Sequence, residues 1–172
     1  MKWLAGAAAA LIVAGCAGTP PITPPATDEA IRPPAGSAVF LEALASGVQI
    51  YECRLKAGSS SDYEWAFIAP EAALSSRTGA PLGRHYAGPS WEAPGQKVVG
   101  EVKGRQNAPA AGAIPWLLLA AKSTSGSGGY ADTKFIQRVN TAGGAAPASG
   151  CDAASAGGMS RVPYTAIYYF YR

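Results

Sequence analysis

Val48-Gln-Ile-Tyr-Glu-Cys-Arg-Leu55 is the stretch that decides the fold class, because its side chains alternate with a period of two. One face carries Val48, Ile50, Glu52 and Arg54, and the other carries Gln49, Tyr51, Cys53 and Leu55. Such alternation, in a stretch with β-branched and aromatic residues, is typical of a β-strand. The folded part of the chain is therefore predicted to be built from strands.

Strand patterns recur along the chain between turn-rich segments. They cover residues 63–69, 96–103, 114–121, 135–141 and 161–172. The run 114–121 is apolar on both faces, so a short helix with Pro115 in its first turn is the alternative there. The run 161–172 predicts a strand covered on both sides, and residues 71–74 predict one helical turn.

These patterns predict an all-β protein. The architecture expected is an antiparallel β-sandwich or barrel of about seven to eight strands with little helix, because strong amphipathic helical periodicity is absent. With 48% hydrophobic residues in a chain of 172, there is enough apolar material for one core. The net charge of +3 comes without a Lys/Arg run, so no nucleic-acid partner is expected.

Residues 1–16 have the pattern of a lipoprotein signal peptide. Lys2 is followed by an apolar run too short to span a bilayer, and the run ends in Val13-Ala-Gly-Cys16, which resembles the bacterial lipobox. Cys16 is thus the predicted lipidation site, through which the protein would bind the membrane. An ordinary signal cleaved nearby is the alternative. Ala17, rather than an aspartate, follows the cysteine, and by analogy with lipoprotein sorting this favours the outer membrane, facing the periplasm or the cell surface.

The remainder of the chain divides into a linker and a domain. Residues 17–36 contain three Pro-Pro pairs and almost no large apolar groups, which predicts a semi-rigid polyproline II linker. Residues 37–172 are predicted to form a single β-rich domain. Two cysteines, Cys53 and Cys151, remain if Cys16 carries lipid, and an extracytoplasmic location favours a disulfide between them over two separate buried thiols.

The stretch 84–92, Arg-His-Tyr-Ala-Gly-Pro-Ser-Trp-Glu, concentrates titratable and aromatic residues around a Gly-Pro turn. A tight turn would bring His85 and Glu92 together, and a His–carboxylate pair can move protons near neutral pH. These two are the candidate catalytic residues, with His85 expected to be partly exposed beside the main pocket. The alternative is that His85 caps a turn while Trp91 packs in the core.

Tyr86, Trp91 and Arg138 are the candidate ligand-binding residues. The aromatic rings are suited to a small-molecule or sugar-like ligand. Arg138 lies on a predicted strand and either pairs with Glu52 across strands or contacts an anion in a pocket. One histidine and scattered acids do not predict a metal site. No cofactor is predicted, and a Gly-x-Gly-x-x-Gly motif after a strand is absent.

Six ordered blocks between residues 37 and 172 resemble the family catalogued as domain of unknown function 3455, found in secreted bacterial and fungal proteins. The blocks are Gly47-Val-Gln-Ile-Tyr-Glu-Cys53, Trp65-Ala-Phe with Ala69-Pro-Glu-Ala72, Gly83-Arg-His-Tyr-Ala-Gly-Pro-Ser-Trp-Glu92, Ile114-Pro-Trp-Leu-Leu-Leu119, Ile136-Gln-Arg-Val-Asn-Thr141 with Gly143-Gly144, and Val162-Pro-Tyr-Thr-Ala166. The resemblance implies no activity, since the family has no settled one.

Two classes of function are compatible with these observations. The first is a lipid-anchored cell-envelope module that binds a small molecule, a glycan or a protein through the 85–92 region. The second is an extracytoplasmic enzyme, of the hydrolase type, that uses His85 and Glu92 as acid and base. The first is favoured because the chain offers binding-type residues and no complete catalytic set, such as Gly-x-Ser-x-Gly.

Overall fold

The computed structural model describes residues 20–172, which form one antiparallel sheet of eight strands closed into a barrel. The strands are β1 (Val39–Leu55), β2 (Tyr63–Ser75), β3 (Pro81–Tyr86), β4 (Ser90–Ala93), β5 (Gln96–Gln106), β6 (Trp116–Gly126), β7 (Phe135–Gly143) and β8 (Met159–Tyr171). A 3-10 turn at Glu29–Ile31 is the one helical element in the described part of the chain. The predicted all-β class is confirmed, and the barrel is the architecture adopted.

Strand β1 closes the barrel, because it pairs with β2 along one edge and with β8 along the other. The alternation expected of residues 48–55 is present: Gln49, Tyr51 and Cys53 are buried inside, whereas Arg54 is exposed. The predicted strand at 114–121 is confirmed as β6, which begins just after Pro115.

Strand β8 is covered on both faces, as its apolar sequence predicts. Tyr164, Ala166, Tyr168 and Phe170 belong to the core cluster within the barrel. Tyr169 and Tyr171 belong to a second cluster on the other face of the strand, together with side chains of β6 and β7. Both faces of one strand are therefore shielded from water, each by a different part of the chain.

The second cluster is covered by part of the segment predicted to be a linker. Ile31 is completely buried there, and Ile22 packs against the same cluster. Gln137 Nε2 donates a hydrogen bond of 2.8 Å to the Ile31 carbonyl, and the Asp28 N–H donates one of 3.1 Å to Gln106 Oε1. We call residues 22–32 the strap. A proline-rich segment can dock in this way because two isoleucines suffice to cover an aromatic patch.

The helical turn predicted at residues 71–74 is wrong, because these residues lie in β2. Ala72 and Leu74 are buried, while Glu71 and Ala73 are exposed, so the side chains follow the strand period. Four residues were too few to distinguish this period from a helical one. The strand passes through Pro70, opposite Gln49 of β1, and the pairing register shifts by one residue between Ile50 and Tyr51.

A disulfide joins Cys53 to Cys151, as predicted, with their Cα atoms 5.3 Å apart. It ties the end of β1 to the long connection between β7 and β8, and closing a loop of this length stabilises a fold by about 4.7 kcal/mol in the chain-entropy model. Cys16 and the predicted signal peptide lie outside the described residues. Between residues 20 and 172 no helix has the length and apolar character to cross a membrane.

Candidate functional site

A cavity of about 360 Å³ lies within one end of the barrel. Every strand contributes a side chain to its wall, which places it in the barrel interior. One lining residue from each strand, in chain order, is Gln49, Phe67, His85, Trp91, Val102, Leu117, Arg138 and Tyr168. Eight-stranded barrels are just wide enough to hold one small ligand.

The hairpin of β3 and β4 brings His85 and Trp91 to this cavity. The two residues are opposite each other in the strand pairing, and Gly88, with φ at +113°, forms the turn between the strands. Their rings stack with centroids 4.4 Å apart and planes 19° apart. The turn itself lines the cavity through Ala87 and Pro89, so the stretch 84–92 does lie beside the main pocket.

His85 is buried, with 2% of its surface exposed, so the expectation of partial exposure is wrong. The period of the strand directs its ring inward onto Trp91. Its Nδ1 lies 2.9 Å from the Ser90 carbonyl oxygen, which can only accept, so Nδ1 carries the proton and Nε2 a lone pair. Burial lowers the pKa of His85 to about 3, and the ring is therefore neutral at physiological pH.

Glu92 is not paired with His85 in the structure. Strand pairing sets Glu92 opposite Arg84, one position from the His85–Trp91 pair, and successive side chains point to opposite faces of a sheet. Glu92 accordingly accepts hydrogen bonds from Tyr86 and from Arg84 Nη2, the latter at 3.1 Å. These bonds, that from Tyr86 first, lower the pKa of Glu92.

The predicted ligand-binding residues also divide into some that line the cavity and one that does not. Trp91 and Arg138 line the cavity, whereas Tyr86 does not. The Tyr86 ring instead lies under the cations of Arg84 and Lys97, which are 4.8 and 5.1 Å from its centroid. Three of the five predicted site residues, His85, Trp91 and Arg138, therefore meet at one cavity.

Arg138, on β7, is half-buried and points its guanidinium at the backbone of the loop before β6. Its Nε and Nη2 donate hydrogen bonds of 3.1 and 2.8 Å to the Pro115 carbonyl. Pairing with Glu52, one of the two alternatives for this residue, is absent, because the strand neighbours of Arg138 are Leu117 and Tyr168. Within residues 20–172 the four ion pairs all use other cations, so Arg138 has no carboxylate partner there.

Three polar side chains of the cavity wall carry buried atoms that lack a hydrogen-bond partner among the described residues. These atoms are Gln49 Nε2, Trp91 Nε1 and Tyr168 Oη. An unsatisfied buried polar group costs about 1–3 kcal/mol, which a bound ligand or water would recover. Gln49 and Tyr168 were missed as site residues. For Gln49 the sequence did hold a signal, because this polar residue lies on the same face of the β1 pattern as Tyr51 and Cys53.

The mouth of the cavity carries large apolar side chains beside the exposed Arg105. Phe67, Ile68 and Val102 line it and are also exposed, by 52%, 45% and 38% of their surfaces. Large apolar side chains grouped at a cavity entrance are typical of interaction sites rather than of ordinary solvent-facing surface.

The described residues hold no cluster of three or more His, Cys, Asp or Glu side chains of the kind that binds a metal ion. Nor does any Asp, Glu, Ser or Cys of residues 20–172 line the cavity. The chemistry of the wall is thus that of hydrogen-bond donors, two arginines and apolar groups.

Comparison with known proteins gives a family without an activity. The family described as "Protein of unknown function (DUF3455)" matches residues 34–172, a range that includes all eight strands and every residue of the cavity wall. The resemblance seen in six blocks of the sequence is thus confirmed. No curated protein and no solved structure matches the chain.

Proposed function

This chain belongs to the DUF3455 family, and we propose that it is a binding protein which holds one small molecule in the mouth of its barrel. The observation that carries the proposal is the cavity of about 360 Å³ whose wall contains buried, unpartnered polar atoms. Its size is within the range of about 300–1,000 Å³ of small-molecule sites, which combine apolar walls with a few polar groups.

A small molecule is favoured over a glycan or a protein by the state of the aromatic residues. Sugars stack on an open ring face, but Trp91 is 1% exposed and His85 covers one face of its ring. A protein partner would need a broad surface, whereas the polar groups described here converge inside the barrel. We therefore place the ligand inside the barrel rather than on its outer wall.

The enzyme alternative has less support. It relied on His85 and Glu92 as an acid–base pair, and these residues lie on opposite faces of the sheet. His85 is neutral and buried, and its ring donates to a backbone carbonyl. No carboxylate of the described residues orients the ring, as an acid–base pair would require. We do not propose a second function.

For its location we propose the cell envelope, with the barrel anchored by lipid on Cys16. The Val13-Ala-Gly-Cys16 sequence supports this location, and the disulfide is consistent with an oxidising compartment. Ala17 after the cysteine favours the outer membrane. The bound molecule would then be one that is present in the periplasm or at the cell surface.

The binding function is tested with N-phenyl-1-naphthylamine, a neutral aromatic probe that fluoresces in apolar surroundings. We expect saturable binding of one probe per chain. In ¹H–¹⁵N spectra the indole N–H signal of Trp91 should shift during the titration, because Trp91 lines the cavity. Trp65 and Trp116 do not line it, so their indole signals are internal controls, and Trp91→Phe assigns the cavity signal. Absence of saturable binding, or shifts at Trp65 alone, would contradict the proposal.

A further inference from the structure

We infer that the molecule held in the barrel is a small organic acid, with an apolar body and a single anionic head that contacts Arg138. The inference rests on the proposed binding function and adds the chemical class of the ligand. It is based on three properties of one cavity: its wall is positively charged, it carries hydrogen-bond donors without partners, and the rest of its wall is apolar.

The cavity wall is positively charged. Two arginines, Arg105 and Arg138, are its charged side chains, and no carboxylate of residues 20–172 lines it. The other titratable groups stay neutral near pH 7: burial lowers the pKa of His85 and raises the pKa of both Tyr51 and Tyr168. Both arginines would repel an ammonium ligand, and a neutral ligand would leave the charge of Arg138 uncompensated.

Arg138 is placed to act on a ligand rather than on the protein. A cation removed from water without a counter-ion is costly, and Arg138 is half-buried with no ion-pair partner among the described residues. The Pro115 carbonyl occupies two of its N–H donors, so three of the five that a guanidinium carries remain. Its positive charge acts on three groups around the cavity: it adds to the fall that burial causes in the pKa of His85, and it offsets part of the rise that burial causes in the pKa of Tyr51 and Tyr168.

The unpartnered polar atoms of the wall point to the same chemistry. Gln49 Nε2 and Trp91 Nε1 can only donate, and Tyr168 Oη can donate as well. A carboxylate accepts through about four lone-pair sites, so it can satisfy several such donors at once. The lone pair on His85 Nε2 is left for a hydroxyl group of the ligand or for water.

The rest of the wall fits an apolar body. Ile114, Leu117 and Leu119 line the cavity and are buried, and Phe67 and Ile68 continue the apolar surface to the mouth. A ligand with a charged group at one end and a hydrocarbon or aromatic part at the other would match both regions. A polyol or an inorganic anion would match only one of them.

The test uses two probes with one skeleton: N-phenyl-1-naphthylamine, which is neutral, and 8-anilinonaphthalene-1-sulfonate, which carries one negative charge. We expect the wild-type protein to bind the anion about tenfold more tightly, because hydrogen bonds to a charged group are stronger than those to a neutral one. Arg138→Gln should remove this preference and leave the affinity for the neutral probe within about twofold. Arg138→Lys, which keeps the charge, should retain a preference for the anion.

Arg161→Gln is the matched control, because Arg161 is exposed, pairs with Glu71 and lies away from the cavity wall. It should change neither affinity.

If the neutral probe binds and shifts the Trp91 indole signal but the anion binds no more tightly, the inference is overturned and the binding function stands. A preference that survives Arg138→Gln also overturns it. If neither probe shifts the Trp91 signal in the wild type, the binding function itself fails. If Arg138→Gln does not fold, the Nε–H signal of Arg138 in the wild-type ¹H–¹⁵N spectrum decides the outcome: it should shift with the anion and not with the neutral probe, and equal shifts or no shift overturn the inference.

Discussion

His85, the only histidine of the chain, shows at the scale of one residue how burial changes what a side chain can do. Its ring lies between Trp91 and Tyr168, with centroids 4.4 and 5.1 Å away, and donates to the Ser90 carbonyl. Protonation would place a charge in this apolar surrounding, close to Arg138. The residue is thus a neutral part of the cavity wall in the folded state and an ordinary titrating group in the unfolded chain.

This difference predicts a loss of stability in mild acid. The unfolded chain binds a proton at His85 below about pH 6.5, whereas the pKa of about 3 keeps the folded chain unprotonated. The free energy of unfolding should therefore fall as the pH drops from about 6.5 towards 3, by about 1.4 kcal/mol per pH unit within that window. Above about pH 6.5, the contribution of His85 to the free energy of unfolding does not change with pH.

The measurement is urea unfolding at pH 7 and pH 5, on protein without a histidine tag. His85→Gln keeps an amide donor for the Ser90 carbonyl but does not titrate. We expect the wild type to lose about 2 kcal/mol more than this variant between the two pH values. Equal losses in the two proteins would show that His85 titrates alike in the folded and unfolded states.

For single side chains, the sequence could indicate which region meets the cavity but not which residues of that region face it. His85, Trp91 and Arg138 do line the cavity, but Glu92 and Tyr86 lie outside it. A shift of one residue moves a side chain to the other face of a sheet, and this register is set by pairing partners that no local pattern shows. The roles of Gln49 and Tyr168 emerge only when all eight strands surround one space.

At the scale of the elements, the strap and β5 approach each other closely at Gly104. Gly104 of β5 lies under the strap, and a Cβ added there would be 1.7 Å from the Ala30 carbonyl oxygen. That distance is far below any van der Waals contact, so a larger residue at position 104 must displace the strap. The absence of a side chain at this point is thus what allows the strap to pack.

Gly104→Ala should release the strap while leaving the barrel intact. We expect cleavage after Glu29 by a glutamate-specific protease to become several-fold faster, because local unfolding exposes the 3-10 turn. Lys103→Ala, which also places an alanine on β5 but at the exposed neighbouring position, is the control and should leave the rate unchanged. Equal rates in Gly104→Ala and the wild type would show that the strap tolerates the methyl group.

The elements themselves were the most predictable part of the fold. Strands β1 and β8 were predictable because alternation or a fully apolar run extends over many residues. The strap was not, since Ile22 and Ile31 are isolated apolar residues among prolines and show no period. The choice between barrel and sandwich was open as well, because closure depends on pairing between β1 and β8, more than a hundred residues apart in sequence.

At the scale of the whole molecule, the proposed attachment of the barrel to a membrane can be tested directly. Wild-type protein expressed in a Gram-negative host should incorporate a labelled fatty-acid analogue and fractionate with membranes. Cys16→Ser should lose the label, because the acyl chains have no other proposed site. Cys53→Ala with Cys151→Ala is a control that removes the other cysteines and should keep the label. Undiminished labelling of Cys16→Ser would contradict the anchor.

The strap limits how far the barrel could move from the membrane on such an anchor. Cys16 precedes Ile22, where the chain first packs on the barrel, by 22 − 16 = 6 residues, which extended chain can stretch over at most about 20 Å. A free linker of residues 17–36 would have reached about three times as far. The barrel would therefore stay within a few nanometres of the bilayer surface, with little freedom to turn. It would sample molecules dissolved next to the lipid headgroups, among which an acid with an apolar body is concentrated by its own affinity for that boundary.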